Sequence, residues 1–588
     1  MSAAQTSWAA ARKPCHIDII YVDANTGGAS GGHLALGLGD NVYHFQQHED
    51  GFLRLKRDSR QHFLLIYNHI ENRSIFLAQT PVPRSSFQML EGHFSRLLLS
   101  QERNFSNLDA LKGNRRFLRS LKSGGAEVKI DALGLFENQT GLVSPDMKRL
   151  RSRVIERFGR NFFRSRLTGL DNEIMNLGMT GTPEPVLPGR RTDFVPIART
   201  FYSRLTELVA MKQALRLLNK AAAVRKEVLM DAGPIPECFK TRLKAFGNDI
   251  IDSVISLFSS NRPDRAAALL VQMARLQAIE KGLRSGRLLI LDPFPSGSTM
   301  VGKDVFMKDR DQMERLKRHM RRRLSSRIAS LCARESFDEF SYNGLENLAA
   351  RLVELENGLE SGVPVRISDK VEIPCLEGGA AIPKSGIKAD PELVKRSERR
   401  YRVYSDSLKG LYAYNLVSSN CVTELFRETR TALGGRDLFM VRARPGLEPG
   451  AGFIPFRFFD WWVSRAEHCE VIYIPSYRKR RLSGMYKAEN DLKAYLRECN
   501  TVSSTIYRPS LSDTSFLLFT DDVFLSRPVF GAVNSVWGIA STVLGLVSMP
   551  FDQAARLKYG FWGAIYSLPE LFFINIRKGS FCWTGREN

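Results

Sequence analysis

Three residues combine the types and settings that nucleophilic chemistry needs: Cys421 in LYAYNLVSSNCVTELFRETRTALGG, and His33 and His44 in GGHLALGLGDNVYHF. A thiol attacks a carbonyl as its thiolate, and the unpaired N–H groups at a helix start favour that negative charge. Ser418, Ser419 or Asn420 can each cap a helix, Leu425 and Phe426 supply an apolar face, and Gly434-Gly435 supply a stop. Cys421 is therefore expected in the first turn, with its pKa lowered there. A nucleophile also needs a base, usually a histidine whose second ring nitrogen is held by another polar group. His33 fits the base and His44 its orienting partner.

The elements that must position them are legible as periodicity. Residues 17–79 hold short apolar runs, IDIIYVD, HLALGLG, VYHFQ and FLLIY, broken by NTGGASGG and Gly39-Asp40-Asn41. These predict an antiparallel β-meander with a hairpin tip at Asp40-Asn41, which sets His33 and His44 on facing strands. A helix is expected over 87–99. Between 197 and 359 the period becomes helical, with Phe201, Leu205, Leu208, Val209, Leu215 and Leu218 at mostly three- and four-residue intervals. The organisation read from these shifts is a β-rich part at 15–190 carrying His33 and His44, an α-helical insertion at 195–360, a Pro/Gly/Lys-rich linker at 362–400, a second catalytic part at 401–520 carrying Cys421, and a hydrophobic hairpin at 525–580.

A chain of 588 residues exceeds one core, and 43% hydrophobic with 25% charged residues is a folded composition. Eight cysteines show no CxxC pairing, so neither a zinc site nor a disulfide framework is indicated, and Cys15-His16 and His468-Cys469 lack the spaced ligand pairs a metal wants. No metal and no cofactor are expected. The glycine-rich 27–32 precedes a strand, unlike a phosphate-binding loop, and leaves room for close approach to His33. A net charge of +23 favours an anionic partner. The clusters Arg321–Arg323 and Arg478–Arg481 lack interleaved aromatics, so a membrane surface is expected rather than nucleic acid.

Residues 1–14 lack the apolar core of a secretory signal. Residues 528–550 form an uncharged run of 23 residues, enough to cross a bilayer core of about 30 Å. In it Gly531, Ser535, Gly538, Thr542 and Gly545 line one helical face, a stripe that permits close packing in lipid. A second run, 559–576, contains Pro569, Glu570 and Asn575. Joined by FDQAARLK, the two predict a membrane-associated hairpin whose flanking basic residues do not set its orientation.

The motif GGHLALGLGDNVYHF with a distant downstream NCVTELF resembles the permuted branch of the NlpC/P60 papain-like superfamily, in which histidine precedes cysteine. It is similar to the lecithin:retinol acyltransferase group, and DANTGGASGGHLALGLG…VYHFQ with SSNCVTELF is closer to the catalytic domain of the Lnb group of bacterial lipoprotein N-acyltransferases. The likeness covers residues 15–80 and 410–435. It departs from the retinol acyltransferase pattern in having Val422-Thr423-Glu424 after the cysteine and in a histidine spacing one residue shorter. The resemblance implies Cys421 as nucleophile, His33 as base and His44 as third polar residue, a phospholipid or lipoprotein substrate, and a bacterial envelope location.

The fold expected is therefore α+β: a circularly permuted papain-like domain with an antiparallel sheet, a large α-helical insertion and a C-terminal hydrophobic helical hairpin. The function expected is thiol-dependent acyl transfer or hydrolysis on a lipid-linked acyl substrate at a membrane. A cell-wall peptidase or amidase and a non-enzymatic membrane-associated scaffold are the alternatives.

Overall fold

The computed structural model describes residues 15–23, 32–122, 127–137, 143–177, 183–295, 297–368, 371–382, 391–434, 453–507, 514–518 and 524–571. The chain is α+β, built on one six-stranded antiparallel sheet with smaller two-stranded sheets beside it. The large sheet comprises β1 (Cys15–Val22), β2 (His33–Leu38), β3 (Asn41–Gln47), β4 (Leu53–Ser59), β5 (Ile75–Val82) and β6 (Glu470–Ile474), in the spatial order β6-β5-β1-β2-β3-β4. The hairpin between β2 and β3 turns at Gly39-Asp40, with Gly39 at a φ of 60° that favours glycine. Its register pairs Leu38 with Asn41 and Ala35 with His44.

Side chains alternate across a strand, so the sheet has two different faces. On one, Leu34, Leu36, Tyr43 and Phe45 pack beneath three helices, α2 (Arg84–Lys122), α6 (Cys421–Ala432) and α7 (Pro455–Arg465), which contribute Phe94, Leu425 and Trp462 among others. On the other, Ile20, Val22, Ala35, Val42, Ile75 and Leu77 pack under Phe63 and Tyr67. These two aromatics come from α1 (Arg60–Leu64) and the π-helical turn Leu65–Ile70 that continues it. This segment contains FLLIY, read from sequence as a strand. Ser59 caps it as a helix by accepting the N–H of His62. An unbroken apolar run carries no period with which to separate the two states.

The helix expected over 87–99 runs instead from Arg84 to Lys122. Its far end, with residues 127–177, joins the core of the helical body, where Phe117, Val128, Met147, Leu150 and Phe163 pack with Leu205, Val209, Ile250 and Leu270. That body therefore draws on both sides of position 190. Its later helices include α3 (Arg310–Cys332) and α4 (Glu339–Ser361). A disulfide joins Cys238 to Cys332, Cα atoms 5.8 Å apart, a pairing with no signature in the sequence spacing. The stretch 362–400, expected as a linker, holds two short strands, Val365–Ile367 and Gly378–Ala381, and the first turns of α5 (Pro391–Tyr412), which packs along α2.

At the C-terminal side α8 (Arg527–Asp552) and α9 (Ala555–Ser567) pack together through small residues. A Cβ at Gly538 would strike the backbone of Ala564, and one at Gly545 the backbone of Leu557. Among the described residues α8 is the one helix whose length and composition suffice to cross a membrane. The part of the expected hairpin beyond residue 571 lies outside the described residues.

Candidate active site

The helix start that carries Cys421 is built by its own sequence. Asn420 is the N-cap, its Oδ1 accepting the N–H groups of Val422 at 2.9 Å and Thr423 at 3.0 Å. Thr423 reciprocates by accepting the N–H of Asn420, completing a capping box. The amide of Asn420 also donates to the carbonyls of Leu416 and Phe453, so the turn before the cysteine is tied on both sides. One turn on, buried Glu424 is paired with Arg191 and accepts a hydrogen bond from Ser419, while Glu428 is paired with His93. These pairs tie α6 to α2 and to the segment carrying Arg191, which also holds the carbonyl of Leu411.

The structure brings His33 and His44 together. In β2 and β3 they are diagonal neighbours, since Ala35, two residues beyond His33, is the residue opposite His44. The Nε2 of His33 lies 2.9 Å from the Nδ1 of His44, and the Nε2 of His44 lies 3.0 Å from Oδ2 of Asp58. Asp58 repeats the diagonal on β4, two positions past Lys56, the partner of His44. Three adjacent strands thus carry one line of hydrogen bonds. Tyr67 stacks on His33 at 5.4 Å, and Phe63 and Tyr67 meet His44 edge-on.

Protonation along this line is determined by its carboxylate end. Burial pushes the carboxyl of Asp58 up, but the hydrogen bond to His44 and the surrounding positive groups, His62 and Lys56 among them, together bring it below its usual range, so it is an acceptor only. His44 must then donate from Nε2. With a neutral His44 ring, its Nδ1 is a bare acceptor, so His33 donates from Nε2 and presents an unprotonated Nδ1. His33 itself stays neutral: burial first, then the charges of His44, Arg73 and Lys56, push its pKa well below 6.5.

Cys421 packs with the cluster on the other face of the sheet, next to β2. The pairing of β2 with β3 ends at Ala35, and the next residue, Leu34, directs its N–H to the cysteine sulfur. The N–H groups of Cys421 and Val422 and the charge of Arg73 also favour the thiolate. Burial nevertheless dominates and pushes the thiol up, which corrects the lowered pKa expected from the helix start alone. Tyr67 stacks on His33 and feels the cysteine charge, and Arg73 acts on both Cys421 and His33, so the same two side chains bear electrostatically on both groups.

Sequence reasoning missed two contributors. Asp58 sits in LRLKRDS, whose four charges among seven residues look like a solvated edge rather than a strand. Arg73 is buried, donating to the carbonyls of Asp23 and Val22 and paired with Glu71, a role set by tertiary contacts that leave no local pattern. Comparison with protein-family models, curated proteins and solved structures finds no match to this chain.

Proposed function

We propose that the chain is a thiol-dependent acyltransferase or hydrolase acting on a lipid-linked acyl substrate at a membrane, within a circularly permuted papain-like fold of the NlpC/P60 type and closest to the Lnb group. The observation that carries the reading is the hydrogen-bonded line Asp58–His44–His33, with the thiol of Cys421 held at a capped helix start against the N–H of Leu34, the residue after His33.

The resting pair is neutral thiol and neutral imidazole, so attack is general-base assisted. As an acyl carbonyl approaches, the Nδ1 of His33 takes the Cys421 proton while sulfur bonds the carbonyl carbon and its oxygen becomes an oxyanion. The N–H of Cys421 is the candidate donor to that oxygen. The imidazolium is stabilised through His44 by the Asp58 carboxylate. Collapse expels the leaving alkoxide, which takes the proton back from His33, and leaves a thioester on Cys421. Water or an amine, deprotonated by the same nitrogen, then resolves the thioester to acid or amide.

The membrane part of the proposal rests on which residues α8 turns outward. Beyond its first residue, buried Arg527, its buried positions are Gly531, Asn534, Ser535, Gly538, Ser541 and Gly545, while Val536, Leu544, Val547 and Phe551 are exposed, Phe551 at 91%. Small and polar inside with apolar outside is the reverse of a helix in a water-soluble core and suits a lipid surround. The net charge of +23 suits an anionic membrane surface, and the Cys238–Cys332 disulfide suits an oxidising compartment such as a bacterial envelope.

The test is trapping of the acyl-enzyme. Full-length protein incubated with phospholipid or diacylated lipopeptide should gain one acyl mass on Cys421, removable by hydroxylamine. Cys421→Ser should abolish the adduct and His33→Ala should slow it by about 10²–10⁴-fold. Absence of any adduct, together with full cellular function of Cys421→Ala, would instead favour the scaffold.

A further inference from the structure

The segment 60–70 has two sides. Phe63 and Tyr67 face the histidines, while Leu65 and Ile70 face away, onto a half-open cavity of about 850 Å³ bounded by α3, α4 and the strand Val365–Ile367. This volume lies within the usual range for small-molecule sites. The floor is apolar, with Phe306, Met313, Leu355 and Val365 buried in it and Leu316 and Met320 partly covered. The rim is cationic: five arginines (Arg322, Arg323, Arg327, Arg351 and Arg366) and two histidines line the cavity, and no Asp or Glu is among the described lining residues.

Part of this rim is fixed by the fold. Arg366 is paired with Glu354 and Asp292, Arg327 donates to the carbonyl of Ser341, and Arg323 donates to Gln61. Arg322 and Arg323 stand exposed at the mouth, on the most basic helix of the body. A guanidinium cluster matches the geometry of phosphate oxygens, and a floor of apolar side chains matches hydrocarbon. We infer that this cavity is a second ligand site, separate from Cys421, that holds an acyl-chain amphiphile with its chain on the Phe306–Met320 floor and its phosphate head at the arginine rim. The inference does not rest on the thiol chemistry, because the cavity lies on the far side of segment 60–70 from the histidines.

The experiment uses full-length Cys421→Ser protein in amphipol, so that turnover plays no part, titrated with radiolabelled 1-oleoyl lysophosphatidic acid. Saturable binding at one lipid per chain is expected. It should weaken at least tenfold in Met320→Trp, which fills the floor, and in Arg322→Glu/Arg323→Glu, whose exposed positions leave folding intact. Arg153→Glu, an exposed arginine on Pro145–Phe158, should leave it unchanged. Inorganic phosphate and mono-oleoylglycerol should compete at least tenfold less well than the lipid. Non-saturable uptake, equal binding in all variants, or displacement by phosphate alone as effective as by lipid would each overturn the assignment. None of these outcomes depends on whether Cys421 forms a thioester.

Discussion

The Nε2 of His44 stands 3.0 Å from the Asp58 carboxylate, and that single contact decides which nitrogen of the next histidine is a base. Because Asp58 accepts only, His44 turns its bare Nδ1 to His33, and His33 turns its own bare nitrogen outward.

The first consequence is graded. Asp58→Asn removes the negative end and lets the amide donate to His44, reversing its tautomer. With a charge-assisted hydrogen bond worth about 1.5–3 kcal/mol, acylation of Cys421 should slow by about ten- to hundredfold. His44→Gln should cost a similar factor, and Asp58→Glu should recover part of the rate. Single-turnover acylation measured by intact mass is the check. A purely structural role for Asp58 would lower stability without shifting the acid limb of the pH–rate profile.

Alkylation kinetics distinguish a neutral pair from a preformed ion pair. Burial raises the Cys421 thiol, so its rate with iodoacetamide should climb with an apparent pKa above the ordinary thiol value of about 8.5. An ion pair would give a plateau extending into acid. Arg73 lowers both Cys421 and His33, so Arg73→Met should move the cysteine further up and carry His33 back toward its usual value.

Stability should fall in mild acid. The unfolded chain protonates His33 through about 6.5, whereas folded His33 stays neutral well below that value. Between the two values the unfolded state binds the extra proton, so stability declines as pH is lowered from about 6.5 and returns as pH is raised. The urea midpoint of wild type should drop between pH 7 and 5, and His33→Gln should flatten that slope. Asp58, with its pKa lowered, contributes above its unfolded value near 3.9 and loses that contribution only below it.

The contact of α8 with α9 is set by glycine. Gly538→Leu and Gly545→Leu put side chains into the facing backbone and should each cost about 1–3 kcal/mol. Val547→Ala, at an outward position exposed by 76%, should cost little. Thermal unfolding in lipid nanodiscs is the measurement.

Much of the placement of His33, His44 and Cys421 was legible from two local signals, strand alternation around a turn expected at Asp40-Asn41, which lies one residue earlier at Gly39-Asp40, and a cap-plus-stop pattern around Cys421. What escaped had no local signal. Asp58 is one charge among several on β4, and only register with Lys56 and His44 separates it from its neighbours. The run FLLIY reads as a strand because it is continuously apolar, and the helical state of residues 60–70 around it follows from the Ser59 cap and from packing Phe63 and Tyr67 onto the sheet. Cys238 and Cys332 are separated by 94 residues, beyond any spacing rule. The thiol pKa was misjudged because a helix start is visible in sequence and burial is not.

The strands bearing His33, His44 and Asp58 leave the ribosome early and pair locally, but the helix bearing the thiol, and β6 that completes the sheet against β5, follow only after the helical body. A chain interrupted anywhere in that body has the histidine line without the cysteine helix. The proposed thiol chemistry would therefore become available only late in synthesis, once the C-terminal part has joined the sheet.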